Sequence, residues 1–273
     1  MRQRRAVPKG LRRGITLRMV APNAVTAMAL CSGLTGIRYG VSAIQGREDH
    51  WQFAVLCVLI AGVLDGLDGR IARMLRGESR FGAELDSLSD SIAFGVAPAL
   101  ILYLWSLHAM PKFGWIFALA HALSCALRLA RFNANIDAGQ QPHKSAGFLT
   151  GVPAPAGAGL AFVPLYLWLV TGLDIFRQWY VVAPWAAFVA FLMISSIATY
   201  SWSALRLRKR IRLEAIALAG LLAALLITDP WLTLLGICLV YIALLPFGIA
   251  SYAKVRRQQS AVATPVVPRS SAE

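Results

Sequence analysis

Apolar residues come in long blocks along this chain, interrupted by short polar and basic stretches. Blocks that meet the roughly 20-residue length needed to cross a bilayer as a helix can be drawn at about 22 to 44, 52 to 73, 85 to 108, 113 to 132, 153 to 173, 180 to 202, 212 to 228 and 231 to 252. The pattern predicts an all-α protein, a polytopic bundle of about eight transmembrane helices making one domain over residues 22–252. A basic segment precedes it at 1–21 and a tail follows at 253–273. The tail is rich in Gln, Ser, Ala and Pro without hydrophobic period, so disorder is expected from about Gln258.

Composition agrees with the pattern. Of 273 residues, 58% are hydrophobic, and the mean hydropathy is +0.60, far above a soluble domain with its roughly 25% of charged residues.

The net charge of +14 would suit nucleic acid, but its placement argues for membrane topology instead. With the N-terminus assigned to the cytoplasm, 23 of the 27 Lys and Arg residues fall on that side, at 1–18, 70–80, 128–144, 206–212 and after 252. Only Arg38, Arg47, Lys112 and Arg177 lie toward the other face. The positive-inside rule then selects this orientation, and the expected setting is a multi-pass protein of the cell's inner membrane with no nucleic-acid partner. The N-terminal segment is too long and too charged for a typical secretory signal, so the first apolar block is read as a retained helix. Lys9 to Val20 suits either an interfacial helix attracted to anionic membrane lipids or a solvated tail. Cys31, Cys57, Cys125 and Cys238 each fall in a different predicted helix, which offers neither a disulfide framework nor a zinc pattern.

The charges that break the apolar pattern most sharply are four aspartates. Asp65 and Asp68 are three residues apart and Asp86 and Asp90 four apart, so each pair projects from one face of its own helix. Between them, Met74 to Arg80 holds two arginines, Gly77 and Glu78, a composition that suits a turn at the membrane surface. Four carboxylates in a low-dielectric site repel by several kcal/mol unless cations neutralise them, and oxygen ligands alone favour hard divalent ions such as Mg²⁺ or Mn²⁺. Gly69 and Gly82 leave backbone open to a ligand, and Arg73 can meet phosphate oxygens. These parts suit a metal-held pyrophosphate.

Asp65-x-x-Asp68-Gly69-x-x-Ala72-Arg73, eight residues, then Gly82-x-x-x-Asp86-x-x-x-Asp90 resembles the complete signature of the CDP-alcohol phosphatidyltransferases over 26 residues. The resemblance implies that Asp65, Asp68, Asp86 and Asp90 hold the metal, in all two ions, and that Asp90 is the general base. It also implies that Gly69, Ala72, Arg73 and Gly82 face the nucleotide. Pro22, Asn23 and Thr26 resemble the start of the family's first helix, where these positions lie near the nucleotide; Asn23 as a helix cap is the competing reading. Gly33 and Gly36, with Ser32 and Thr35, form a small-residue stretch suited to close helix approach. Gly95 and Pro98 mark a kink or close packing.

A second stretch narrows the resemblance. Arg128-Leu129-Ala130-Arg131-Phe132-Asn133 and Gly151-Val152-Pro153-Ala154-Pro155-Ala156 resemble the phosphatidylserine synthases within the family, with Val152 in place of the usual Leu. This implies CDP-diacylglycerol and L-serine as substrates, transfer of the phosphatidyl group, and a homodimer. Arg128 and Arg131, three apart, are candidates for the phosphates or for the serine carboxylate, and Lys144 joins them for the carboxylate, with Arg131 and Lys144 preferred there; positive-inside anchoring is the alternative for the arginines. His143 is a weaker candidate.

The sequence contains no Gly-rich phosphate loop and no Ser-His-Asp or Cys-His pattern for a covalent intermediate. The expected reaction is therefore one in-line displacement. Two rivals stand beside it: another acceptor alcohol such as choline, inositol or glycerol phosphate, and an ion-coupled transporter using its intramembrane carboxylates.

Overall fold

A computed structural model describes residues 17–75, 77, 79–137, 148–195, 198–200 and 212–262. His143, Lys144 and most of the basic loop at 206–212 lie outside the described residues, as do the N-terminal basic cluster up to residue 16 and the tail beyond 262.

The described chain is a helical bundle, as expected. Its helices are α1 (Leu17–Ile44), α2 (His50–Leu75), α3 (Arg80–Asp90), α4 (Ala97–Trp105), α5 (Gly114–Asp137), α6 (Ala154–Ala161), α7 (Val163–Thr171), α8 (Trp179–Ile194), α9 (Arg212–Thr228) and α10 (Pro230–Val262). Among the described residues, four helical runs are long and apolar enough to cross a membrane, Val20–Ile44, Arg80–Trp105, Gly114–Ala134 and Pro230–Phe247. The α6–α7 pair, bent by 40°, makes a fifth if it counts as one span. The remaining apolar blocks are also helical. α2 has 26 residues, while α8 has 16 and is short for a span.

α1 packs along α2, and small residues permit the contact. A Cβ on Gly36 would lie 2.9 Å from the Ala54 carbonyl, and Ser32 Oγ donates to the Cys57 carbonyl at 2.7 Å. A Cβ on Gly33 would lie 2.8 Å from Ala93 Cα, in the segment joining α3 to α4. The close approach expected of this stretch is therefore present, and it is made within one chain.

Two prolines shape the spans by the hydrogen bonds they cannot make. Pro98 has no N–H for the Phe94 carbonyl, and the preceding turn, Ser91–Val96, widens into π-helix. The fully buried His121 of α5 donates from Nε2 to that carbonyl at 3.2 Å, and Gly95 beside it packs on Cys125. Pro164 likewise has no N–H for the Leu160 carbonyl, which accepts instead from Trp185 Nε1 of α8 at 2.8 Å, and the chain bends between α6 and α7. In both places a neighbouring helix supplies the missing donor.

Three differences from the sequence reading have local causes. The block at 180–202 is helical only to Ile194; beyond it Ala198–Tyr200 (β2) pairs antiparallel with Phe148–Thr150 (β1), Phe148 opposite Tyr200. α1 begins at Leu17, so Pro22 and Asn23 lie inside the helix and Asn23 is not its cap. The last helix continues to Val262 rather than stopping near 252, because no glycine or proline interrupts Ser251 to Val262.

At the end of the bundle away from the aspartates, Arg177 ties three connections together. Its Nη1 donates to Glu48 at 3.0 Å, its Nε to the Trp105 carbonyl at 3.1 Å, and its guanidinium lies over the Trp51 and Trp168 rings.

Candidate active site

The site forms where the chain turns from α2 into α3. Ser79 caps α3, its Oγ accepting from the Gly82 N–H at 3.0 Å, so the helix starts at once and its first turns face the last turns of α2. One carboxylate oxygen from each of Asp65, Asp68 and Asp86 comes within 4.8 Å of the others. No Lys or Arg pairs with them among the described residues, and Asp86 Oδ1 is buried without a hydrogen-bond partner. Three acceptor-only groups held this close, one with an orphaned oxygen, fit a hard cation.

α1 braces this cluster. Thr26, itself buried, donates from Oγ1 to Asp68 Oδ2 at 2.6 Å, and its own carbonyl accepts from Ser89 Oγ of α3 at 3.2 Å. One α1 residue thus fixes both carboxylate-bearing helices.

A cavity of about 530 Å³ opens onto the cluster. Asn23 and Thr26 line it from α1, Asp68, Gly69, Ala72 and Arg73 from α2, and Gly82 and Asp86 from α3. A Cβ on Gly69 would meet nothing within 4 Å, so this glycine leaves its backbone open to a ligand, as expected. Gly82 has another reason: a Cβ there would lie 2.9 Å from Asn23 Oδ1 and 3.1 Å from Ser79 Oγ. It lets α1 and the α3 cap approach each other.

Asp65, Asp90 and Arg128 are not on the cavity wall. Asp90 lies beside Asp65, and Arg128 of α5 lies within electrostatic reach of both. Arg131, one of the residues preferred for the serine carboxylate, is exposed and donates from Nη1 to the Ile194 carbonyl at 2.8 Å, closing the end of α8. Helical spacing explains the split, since positions three apart are offset by about 60° around the axis.

A membrane-embedded bundle whose paired helix ends present clustered aspartates to an open cavity matches a known family along most of its length. The model of the CDP-alcohol phosphatidyltransferases covers residues 19–199, and that of CDP-alcohol phosphatidyltransferase 2 covers residues 210–246. The chain belongs to the CDP-alcohol phosphatidyltransferase family. A curated CDP-diacylglycerol--serine O-phosphatidyltransferase of Mycobacterium tuberculosis (strain ATCC 25618 / H37Rv) is 36% identical over 244 residues, covering 89% of this chain and 82% of the relative. Proteins of that description from Helicobacter pylori (strain ATCC 700392 / 26695) and Methanocaldococcus jannaschii are each 37% identical, over 148 and 141 residues. These cover 54% and 51% of this chain, and 57% and 60% of the respective relatives.

Sequence reasoning missed several contributors to this family member's site. Phe132 lines the cavity from α5, and Ser79 both caps α3 and lines the wall. Ser79 was legible as a hydroxyl residue just ahead of a helix. Phe132 carried only its place beside Arg131. Tyr241 of α10, in electrostatic reach of Arg128, had no signal in the sequence.

Proposed function

We propose that this chain transfers the phosphatidyl group of CDP-diacylglycerol to the hydroxyl of L-serine, giving phosphatidylserine and CMP. The observation that carries the reading is the convergence of Asp65, Asp68 and Asp86 within 4.8 Å beside a cavity large enough for a nucleotide. The name shared by relatives 36% identical over most of the chain favours serine as acceptor.

In this reading the cavity takes the cytidine diphosphate end of the lipid. Gly69 lets the phosphates come near the α2 backbone, and the exposed Arg73 meets their oxygens. Asn23 and Ala72 shape the wall around the nucleotide. Asp65, Asp68 and Asp86 would hold Mg²⁺ or Mn²⁺, in the fullest form two ions with Asp90 as a further ligand. When bound, such ions supply electrostatic stabilisation to the charge that grows on the departing phosphate. The serine oxygen attacks the phosphorus that bears the diacylglycerol ester, a P–O bond forms, and the P–O bond to CMP breaks. CMP leaves with the bonding electrons, and Asp90, one helical turn beyond Asp86, accepts the serine hydroxyl proton.

The site's setting is proposed as the cytoplasmic face of the inner membrane, on the strength of the 23 to 4 division of basic residues. Met74, 83% exposed beside the site, offers the check: Met74→Cys should resist an impermeant reagent applied outside intact cells, and ready labelling from outside would reverse the orientation. A homodimer is the assembly we expect from the family resemblance. Gly95 and its neighbour Ala93, small residues of the third span, are packed against α5 and α1 of the same chain, so they do not supply the dimer contact. A monomeric mass for fully active protein in nanodiscs would remove the dimer.

The reaction is tested by supplying purified protein with CDP-diacylglycerol and isotopically labelled L-serine. Labelled phosphatidylserine and CMP should appear in equal amounts. Release of CMP without label in the lipid would contradict the proposal.

A further inference from the structure

His121 is a polar side chain in a place that favours an apolar one. It lies within the α5 span, 1% exposed, and its Nδ1 is buried with no hydrogen-bond partner. An unmatched polar atom in such surroundings lowers stability, so a leucine would suit the packing better. What the histidine supplies is one N–H. Its Nε2 lies 3.2 Å from the Phe94 carbonyl, and because a carbonyl only accepts, the proton sits on Nε2.

That carbonyl belongs to the turn joining α3 to α4. Asp90 is the last residue of α3, and Ser91–Val96 follows it directly as π-helix, with the Ala97 N–H reaching back to the Ile92 carbonyl. A π-turn holds about one residue more than an α-turn, so side chains on its two sides stand about 100° out of the phase that an unbroken α-helix would give them. Beyond the turn, α4 is fixed in the core by Ile101, Leu102 and Trp105. The turn therefore decides which way Asp86 and Asp90 face. Gly33 of α1 packs on it at Ala93 and Cys125 of α5 at Gly95, which fills space, whereas His121 aims a hydrogen bond at one carbonyl.

We propose that His121 is a positioning residue: through the Phe94 carbonyl it holds the turn after Asp90 in π-helical register and so aims Asp86 and Asp90 at the aspartates of α2. This rests on the serine-transfer reading and adds to it a residue that is not on the cavity wall. Pro98 and His121 act together. The proline withholds the N–H with which the Phe94 carbonyl would close an α-turn, and the histidine matches that carbonyl instead. With the histidine donor removed, the carbonyl is unmatched inside the membrane, and the turn shifts toward any conformation that gives it a partner. The break at Pro164 is the contrast, since Trp185 serves the Leu160 carbonyl between helices that carry none of the four aspartates.

The test reads the thermal midpoint and steady-state CMP release on the same proteins in nanodiscs, with CDP-diacylglycerol and L-serine. His121→Leu should lower kcat by roughly 100-fold, as a misplacement of about 1 Å at reacting groups does, with both KM values within about threefold of wild type. His121→Gln, whose amide nitrogen reaches as far as Nε2, should recover most of kcat, whereas the shorter His121→Asn should not. Trp185→Phe removes the donor at the other proline, so its thermal midpoint should fall while kcat stays within about threefold. Pro98→Ala covers the case in which His121→Leu does not fold. It returns an N–H to position 98 and lets the turn close as α-helix, so the midpoint should hold or rise while kcat falls at least about 10-fold. A His121→Leu protein that loses thermal stability alone, as Trp185→Phe does, overturns the proposal. Wild-type kcat in Pro98→Ala overturns it as well, and so does equal kcat in the Gln and Asn variants. Failure of wild-type protein to use serine at all is a different result: it removes the serine-transfer reading, and the variants are then compared with whichever alcohol supports release.

Discussion

Thr26 and Asp68, 42 residues apart in sequence, meet across 2.6 Å, with the threonine hydroxyl donating to the carboxylate. The bond fixes one Asp68 oxygen toward α1. Groups that orient a metal ligand in this way commonly alter metal affinity or activity by roughly 10- to 100-fold when removed. Thr26→Val should therefore raise the Mg²⁺ or Mn²⁺ concentration for half-maximal CMP release by about that factor, whereas Thr26→Ser should stay near wild type. A metal titration of the three proteins decides, and equal midpoints for Val and Thr would make the bond incidental.

Asp86 carries the orphaned buried oxygen of the cluster. Asp86→Asn keeps the shape but removes a charge that only a cation can match, so turnover should fall to background at any accessible metal concentration. In metal-free protein the same change relieves repulsion with Asp65 and Asp68, so its melting temperature should not drop. Excess chelator should silence wild-type protein in the same way. Activity retained in chelator would separate the aspartates from metal.

Glycines at two positions separate stability from binding. Gly33→Ala places a Cβ 2.8 Å from backbone at Ala93, within the π-helical turn that follows Asp90. It should destabilise the bundle by about 1–3 kcal/mol, as overpacking does. Gly69→Ala adds a methyl into open space on the cavity wall, so its melting temperature should hold while the CDP-diacylglycerol KM rises. Thermal unfolding in detergent beside steady-state kinetics checks both, and the reverse assignment would contradict the geometry.

Much of this site was legible in the sequence because helical geometry converts spacing into direction. Asp65 with Asp68 and Asp86 with Asp90 had to share faces, and Asn23, Thr26, Gly69, Ala72, Arg73 and Gly82 do line one cavity. What stayed hidden depends on contacts between helices. Arg128 and Arg131 look equivalent along the chain, but one lies near Asp65 and Asp90 with its Nε buried and the other bonds the end of α8. Pro98 announced irregular helix, but only packing shows that His121 supplies the missing donor there and that Trp185 does the same at Pro164. Gly82 lines the cavity as well, but its close approach to Asn23 could not be read from the chain. The β1–β2 ladder joins segments some 50 residues apart and has no local signature.

In the proposed reaction, a metal-dependent aspartate site in this membrane bundle passes phosphatidyl groups to serine. Its most direct test is the initial rate of CMP release from CDP-diacylglycerol with L-serine, choline, inositol or glycerol phosphate at equal concentration. L-serine should give the fastest release, and chelation should abolish it. Faster release with any of the other three alcohols, or release with serine that chelation leaves unchanged, would contradict it.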